Sequence, residues 1–123
     1  MGTIHRQSGQ GDRLDWEGIP FDSYDGDSGA DGIKRVLVGQ RDGAHNFCIR
    51  YFEIPPGSAS SLDKHAHDHG IYVLKGRARV LIGSELTEVT PGDVIYISPG
   101  EHHQFTNPGP EPFGMLCVAP PKD

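Results

Sequence analysis

From residue 33 onward, apolar and β-branched residues arrive in short runs with a period nearer two than 3.6, which predicts strands. The runs are Ile33–Val38, Phe47–Ile54, Ile71–Leu74, Arg77–Ile82, Leu86–Val89, Val94–Ser98, His103–Thr106 and Phe113–Val118. Turn formers separate them: Gly39 to Gly43, Pro55-Pro56-Gly57, Gly76, Gly83, Pro91-Gly92, Pro99-Gly100 and Pro108-Gly109-Pro110. No segment sustains a helical apolar period beyond two turns. About eight or nine short strands at this spacing predict an all-β sandwich, jelly roll or small barrel. On the last run, Phe113, Met115 and Cys117 share one face and Leu116 and Val118 the other. Both faces are apolar, so periodicity leaves open which one looks inward.

Residues 1–32 break the pattern. They are polar and rich in Gly, Asp and Ser, apart from Leu14 to Phe21, and they read as a loose arm that Trp16 and Phe21 pin to the barrel or to a neighbouring subunit. The stretch Asp22 to Gly29 is similar to a calcium loop but lacks the closing Glu and the flanking helices. The division is therefore an arm over 1–32, a barrel over 33–119 and a tail over 120–123. With 123 residues, one core is what the chain can build, and 17 Gly and 10 Pro suit many turns.

Charge narrows the partners. A net charge of −6 without clustered Lys and Arg argues against nucleic acid. Lys34-Arg35 and Arg77-Ala78-Arg79 read as solvated strand faces. No apolar run approaches the roughly 20 residues that span a bilayer, and Met1 to Leu14 lacks the apolar stretch of a signal peptide. A cytoplasmic protein with no membrane partner is the expectation. Cys48 and Cys117 fit reduced, buried thiols better than a disulfide.

The chemistry lies in the histidines. Of seven, His65, His67 and His69 fall within five residues, and His102-His103 follow Pro99-Gly100. Residues two apart on a strand share a face, so such imidazoles can aim at one ion. An adventitious surface patch would explain the first group alone, but not the second. His5 and His45 read as isolated surface or hydrogen-bonded residues.

The run Gly92 to Asn107 resembles the second motif of the cupin family: Gly, five residues, Pro, any, Gly, two residues, His, three residues, Asn. Ser98 stands where its first Pro is usual, His103 is the histidine in register, and His102 is the bystander. Gly57 to Gly76 is similar to the first motif, with Asp63 at the first His position, His65 at the second and His69 in place of Glu. The resemblance covers about residues 33–119. It implies a double-stranded β-helix (jelly-roll) cupin barrel with a loosely structured N-terminal arm. It also implies one divalent transition metal (Fe, Mn, Cu, Ni or Zn) held by Asp63, His65, His69 and His103. In that register Ala66-His67-Asp68 form a turn and His67 points outward near the cavity mouth. In the other register His67 replaces Asp63, at the cost of an unusually tight turn.

The resemblance implies a metal-dependent enzyme acting on a small organic molecule, with a dioxygenase leading. The alternatives are a non-catalytic metal or small-molecule binding or sensor module, and a cupin isomerase or sugar-acid enzyme. Tyr72, Tyr96, Gln104, Phe105, Met115 and Cys117 are further candidates for the cavity, each with core packing as its competing role. Barrel edges that need cover argue for a homodimer.

Overall fold

The computed structural model describes residues 2–11, 13–20, 22–25 and 31–121. Among the described residues there are nine strands: β1 (Asp22–Asp25), β2 (Asp31–Val38), β3 (Cys48–Ile54), β4 (His69–Lys75), β5 (Ala78–Ile82), β6 (Glu85–Val89), β7 (Val94–Ile97), β8 (His103–Thr106) and β9 (Phe113–Ala119). A short 3-10 turn at Gln40–Asp42 is the one helical element among the described residues. All pairings are antiparallel. One sheet runs β1-β2-β3-β9-β4-β7 and the other β6-β5-β8, the two layers of a jelly roll.

Every expected strand is present, and the bounds shift for a reason that hydrophobicity does not carry. β4 begins at His69, two residues before its apolar run, because His69 and Gly70 pair with Ile97 and Tyr96 of β7. β1 lies within the segment read as an arm and pairs with β2. Phe21 and residues 26–30, including half of the calcium-like stretch, lie outside the described residues. The ambiguity on β9 resolves one way: Phe113, Met115 and Cys117 join the core with Phe52, Ile54, Ile71, Val73, Val80, Ile97 and Phe105, while Val118 is exposed.

The segment between β3 and β4 does more than connect them. Asn107 donates its backbone N–H to the Ser58 carbonyl and Ser60 donates to Phe105. Further along, Asp63 and His103 exchange both backbone bonds, at 3.0 and 2.9 Å. The bridge partners Ala59↔Thr106 and Asp63↔His103 are four residues apart on one side and three on the other, so one extra residue is accommodated near Ser61-Leu62. Such a bulge moves every later side chain to the opposite face. Burial follows that rule: Ser58 and Ser60 are buried, and then Ser61, Asp63, His65, His67 and His69 turn inward while Leu62, Lys64, Ala66 and Asp68 are exposed.

The arm is tied to the outer face of the larger sheet. Tyr51, fully buried, anchors a second cluster with Ile19 and Leu37, against which Leu14 and Trp16 pack. The rings of Trp16 and Tyr51 are 5.4 Å apart. Arg35 pairs with Asp15 at 3.4 Å and His5 with Asp42 at 2.6 Å. The Tyr51 hydroxyl donates to Glu53 at 2.8 Å, and Lys75 reaches the same carboxylate at 3.2 Å. A Cβ at residue 114 would collide with that hydroxyl, so the neighbouring strand carries Gly114 there. Trp16 thus packs on its own barrel. Trp16→Ala is expected to lower stability by about 2 kcal/mol, since the side chain is only partly buried. Urea denaturation checks this; an unchanged midpoint would show that the arm contributes nothing.

Candidate metal centre

The Asp63–His103 exchange sets the geometry of the site. Two residues directly opposite in an antiparallel pair present their side chains on one face, so the first motif's carboxylate lies beside the second motif's imidazole. Ligand atoms of Asp63, His65 and His103 all lie within 4.8 Å of one another. Gly100 donates its N–H to the His65 carbonyl, fixing that residue against the turn leading into β8. His69, first residue of β4, closes the group: its ring centroid is 4.8 Å from that of His103 and 5.7 Å from that of His65.

His67 is placed differently from the expectation that it points out of a turn. The chain bends at Ala66-His67, but the inward alternation continues through the bend. The His67 ring therefore stacks on His65 at 5.0 Å and 11°, and sits 5.8 Å from His69. Four imidazoles and one carboxylate share the site. His102 is exposed, as a bystander would be.

The donor set fits a divalent transition metal on four observations. The Nδ1 of His103 lies 3.0 Å from the Glu101 carbonyl oxygen, so that nitrogen donates and Nε2 keeps its lone pair. The Nδ1 of His69 is buried without a hydrogen-bond partner, a costly arrangement unless something else engages the ring. Burial, with further contributions from His103, His65, His67 and Arg50, pushes the His69 pKa down to about 4, so at neutral pH the ring is the neutral form that metals bind. Ligands at about 2.0–2.2 Å from one ion are at most about 4.4 Å apart. The 4.8 Å spread of Asp63, His65 and His103 closes with small side-chain shifts.

A cavity of about 220 Å³ opens over the cluster. Phe52, Ile71, Phe105, Met115 and Cys117 make it largely apolar, and Ser60, Ser61, Lys34 and Arg50 add polar groups. Phe105, Met115 and Cys117 fill both roles weighed for them: they belong to the core and they line the cavity. Gln104 instead donates to the Ser60 carbonyl, and Tyr72 and Tyr96 lie exposed on the outside of the barrel. Lys34, read as a solvated strand residue, faces the cavity because it pairs with Phe52 in register. Arg50 escaped notice. Its parity with Cys48, Phe52 and Ile54 was the available signal.

A two-layer jelly roll with an Asp/His/His cluster lining its cavity defines a class of small barrel with a candidate metal site. Residues 50–119 match the family described as Cupin domain, and the chain belongs to that family. It is 41% identical over 70 residues to a 1-methylthio-D-xylulose 5-phosphate methylsulfurylase of Rhodospirillum rubrum, spanning 57% of this chain but only 45% of that protein. The barrel is similar to a cupin 2 conserved barrel domain protein from Rhodopseudomonas palustris (TM-score 0.81, 29% identity, 96% of this chain and 80% of that one). It is also similar to the polyketide cyclase RemF of Streptomyces resistomycificus (TM-score 0.76, 26% identity, 92% and 81%).

His103→Ala is expected to lower metal occupancy at least tenfold in a chain that keeps its β-sheet circular dichroism. Within the same series, Asp63→Ala is expected to lose more metal than His67→Ala, measured by elemental analysis. Metal loss from His67→Ala alone would make His67, not Asp63, the completing ligand.

Proposed function

We propose that the chain is a metal-dependent enzyme acting on a small organic molecule, with a dioxygenase-type reaction the leading subclass. The carrying observation is the convergence of Asp63, His65 and His103, with His69 and His67 against them, at the floor of an apolar cavity. One divalent transition metal bound there would supply Lewis acidity and, as iron or manganese, redox chemistry. The protein's own part is to hold the His69 imidazole neutral, to orient His103 through the Glu101 carbonyl and to line the substrate space with Phe52, Ile71, Phe105 and Met115.

Two relatives bear enzyme names, a methylsulfurylase of a xylulose phosphate and a polyketide cyclase, which supports a small-molecule substrate. Isomerase chemistry needs an acid and a base flanking the substrate. Among the described cavity residues Asp63 is the one carboxylate, and it belongs to the ligand cluster, so the cavity holds no separate carboxylate pair for that role. The iron- or manganese-loaded protein is expected to consume oxygen only when an enol or catechol-like compound is present. An oxygen electrode checks this, and no uptake across a broad substrate panel with any loaded metal would leave a non-catalytic binding module as the better reading.

Two further properties belong to this reading. Cys48 and Cys117 are buried free thiols, which suits a reducing cytoplasm, and no helix among the described residues is long and apolar enough to cross a membrane. The second is a homodimer. Tyr72, Val94, Tyr96 and Val118 are all exposed, and Tyr72 pairs with Val94 while Gly70 lies between Tyr96 and Val118. They form a continuous apolar surface beside the edge strand β7, which a second copy can cover symmetrically. Light scattering at tens of micromolar is expected to give twice the 13.4 kDa chain mass, and Val94→Asp to give a monomer. A monomeric wild type would overturn the dimer.

A further inference from the structure

We propose that Arg50 is the anion-binding residue of the cavity, so that the ligand is a small organic anion carrying a carboxylate or phosphate group. This rests on the metal-centre reading, and it assigns a second group in the lining of the same space. Arg50 pairs with Cys117 on β9, and Cys117 pairs in turn with Ile71 on β4. One cross-sheet row therefore runs from Arg50 to the strand that begins with His69, and all of these residues line the cavity.

The guanidinium is unusually short of partners. One Nη2 N–H donates to the Cys117 sulfur at 3.4 Å, a weak acceptor, and the group lies 5.1 Å from the centre of the Phe52 ring. Its Nε is fully buried without a hydrogen-bond partner. No described carboxylate is ion-paired with it. Asp63, the cavity's carboxylate, instead accepts from the Ser61 hydroxyl at 2.8 Å. A guanidinium offers five N–H donors in a planar fork that matches carboxylate and phosphate oxygens. Lys34 adds a second cationic group to the same wall, on a chain whose net charge is −6. A cationic wall above a metal floor selects against neutral and cationic ligands. The cavity, at about 220 Å³, is also smaller than the roughly 300–1,000 Å³ of pockets for drug-sized ligands.

The test is calorimetric titration of the metal-loaded full chain with malonate, inorganic phosphate and the neutral isostere malonamide. Malonate or phosphate is expected to bind at least tenfold more tightly than malonamide, and the tighter anion identifies the group. Arg50→Gln is expected to weaken that anion at least tenfold at unchanged metal content, and Arg50→Lys to weaken it less. A loss below threefold in Arg50→Gln overturns the proposal, as does the absence of millimolar binding of either anion to the wild type. If Arg50→Gln loses its β-sheet circular dichroism, Arg50→Lys is judged at the same threefold limit. A wild type that takes up no metal defeats the metal-centre reading alone, and the same Arg50 comparison is then made on the metal-free chain.

Discussion

The site depends on one backbone exchange. Asp63 and His103 lie forty residues apart and are held opposite each other by two hydrogen bonds that no side chain makes. That pairing fixes which face of the 58–69 segment looks inward, and the extra residue near Ser61-Leu62 sets its phase. Without the bulge, the alternation begun at Ser58 and Ser60 would carry Leu62, Lys64, Ala66 and Asp68 into the cavity and leave every histidine of the first group outside. The convergence of the cluster on one face is thus a consequence of register. A deletion of one residue in this stretch would invert it while leaving the composition of the segment almost unchanged.

Much of the fold was legible because turns and strands speak through different residues. Gly and Pro mark the ends of β3, β5, β6, β7 and β8, and the β-branched and aromatic runs mark the interiors. Legibility failed where pairing, rather than side-chain character, makes the strand. β1 and the first two residues of β4 are polar or Gly, and they are strands because a neighbour supplies the ladder. The histidine groups were legible for the opposite reason: few residue types bind metal, and their spacing is distinctive. The orientation of His67 was not legible, since a bend and a continuing alternation look alike in one dimension. Arg50 and Lys34 were hidden by a habit of reading charge as solvent-facing. Strand parity contradicts that habit here, because both residues share a face with Phe52.

The arm poses a separate problem of burial. Tyr51 sits on the outer face of the larger sheet, where a jelly roll ordinarily meets water, and yet it is fully buried. Trp16, Leu14 and Ile19 cover it, and Asp15 and Asp42 give the cover two polar attachments, to Arg35 and His5. The tyrosine hydroxyl, removed from solvent, would be costly without the Glu53 carboxylate that accepts from it. Burial and that carboxylate both push its pKa well above the ordinary tyrosine value, so it remains a donor at any physiological pH. Inner and outer faces of the same strand therefore carry different tasks: β3 sends Arg50 and Phe52 to the cavity and Tyr51 to the arm.

The cavity concentrates groups that folding alone would disfavour. A buried imidazole nitrogen at His69 and a buried guanidinium nitrogen at Arg50 both lack partners, and each such group costs on the order of 1–3 kcal/mol. Apolar residues of similar volume at those two positions would relieve the cost, and the surrounding core of Phe52, Ile71, Phe105 and Met115 is ready to pack against them. The two orphans are also of complementary kinds. Neutral imidazole offers an electron pair and seeks a cation, whereas guanidinium offers N–H donors and seeks an anion. A metal alone would engage only the first and would add positive charge near the second. An anion alone would engage only the second. On the proposed reading, a metal together with an anionic ligand would engage both groups and offset the charge that each alone would leave.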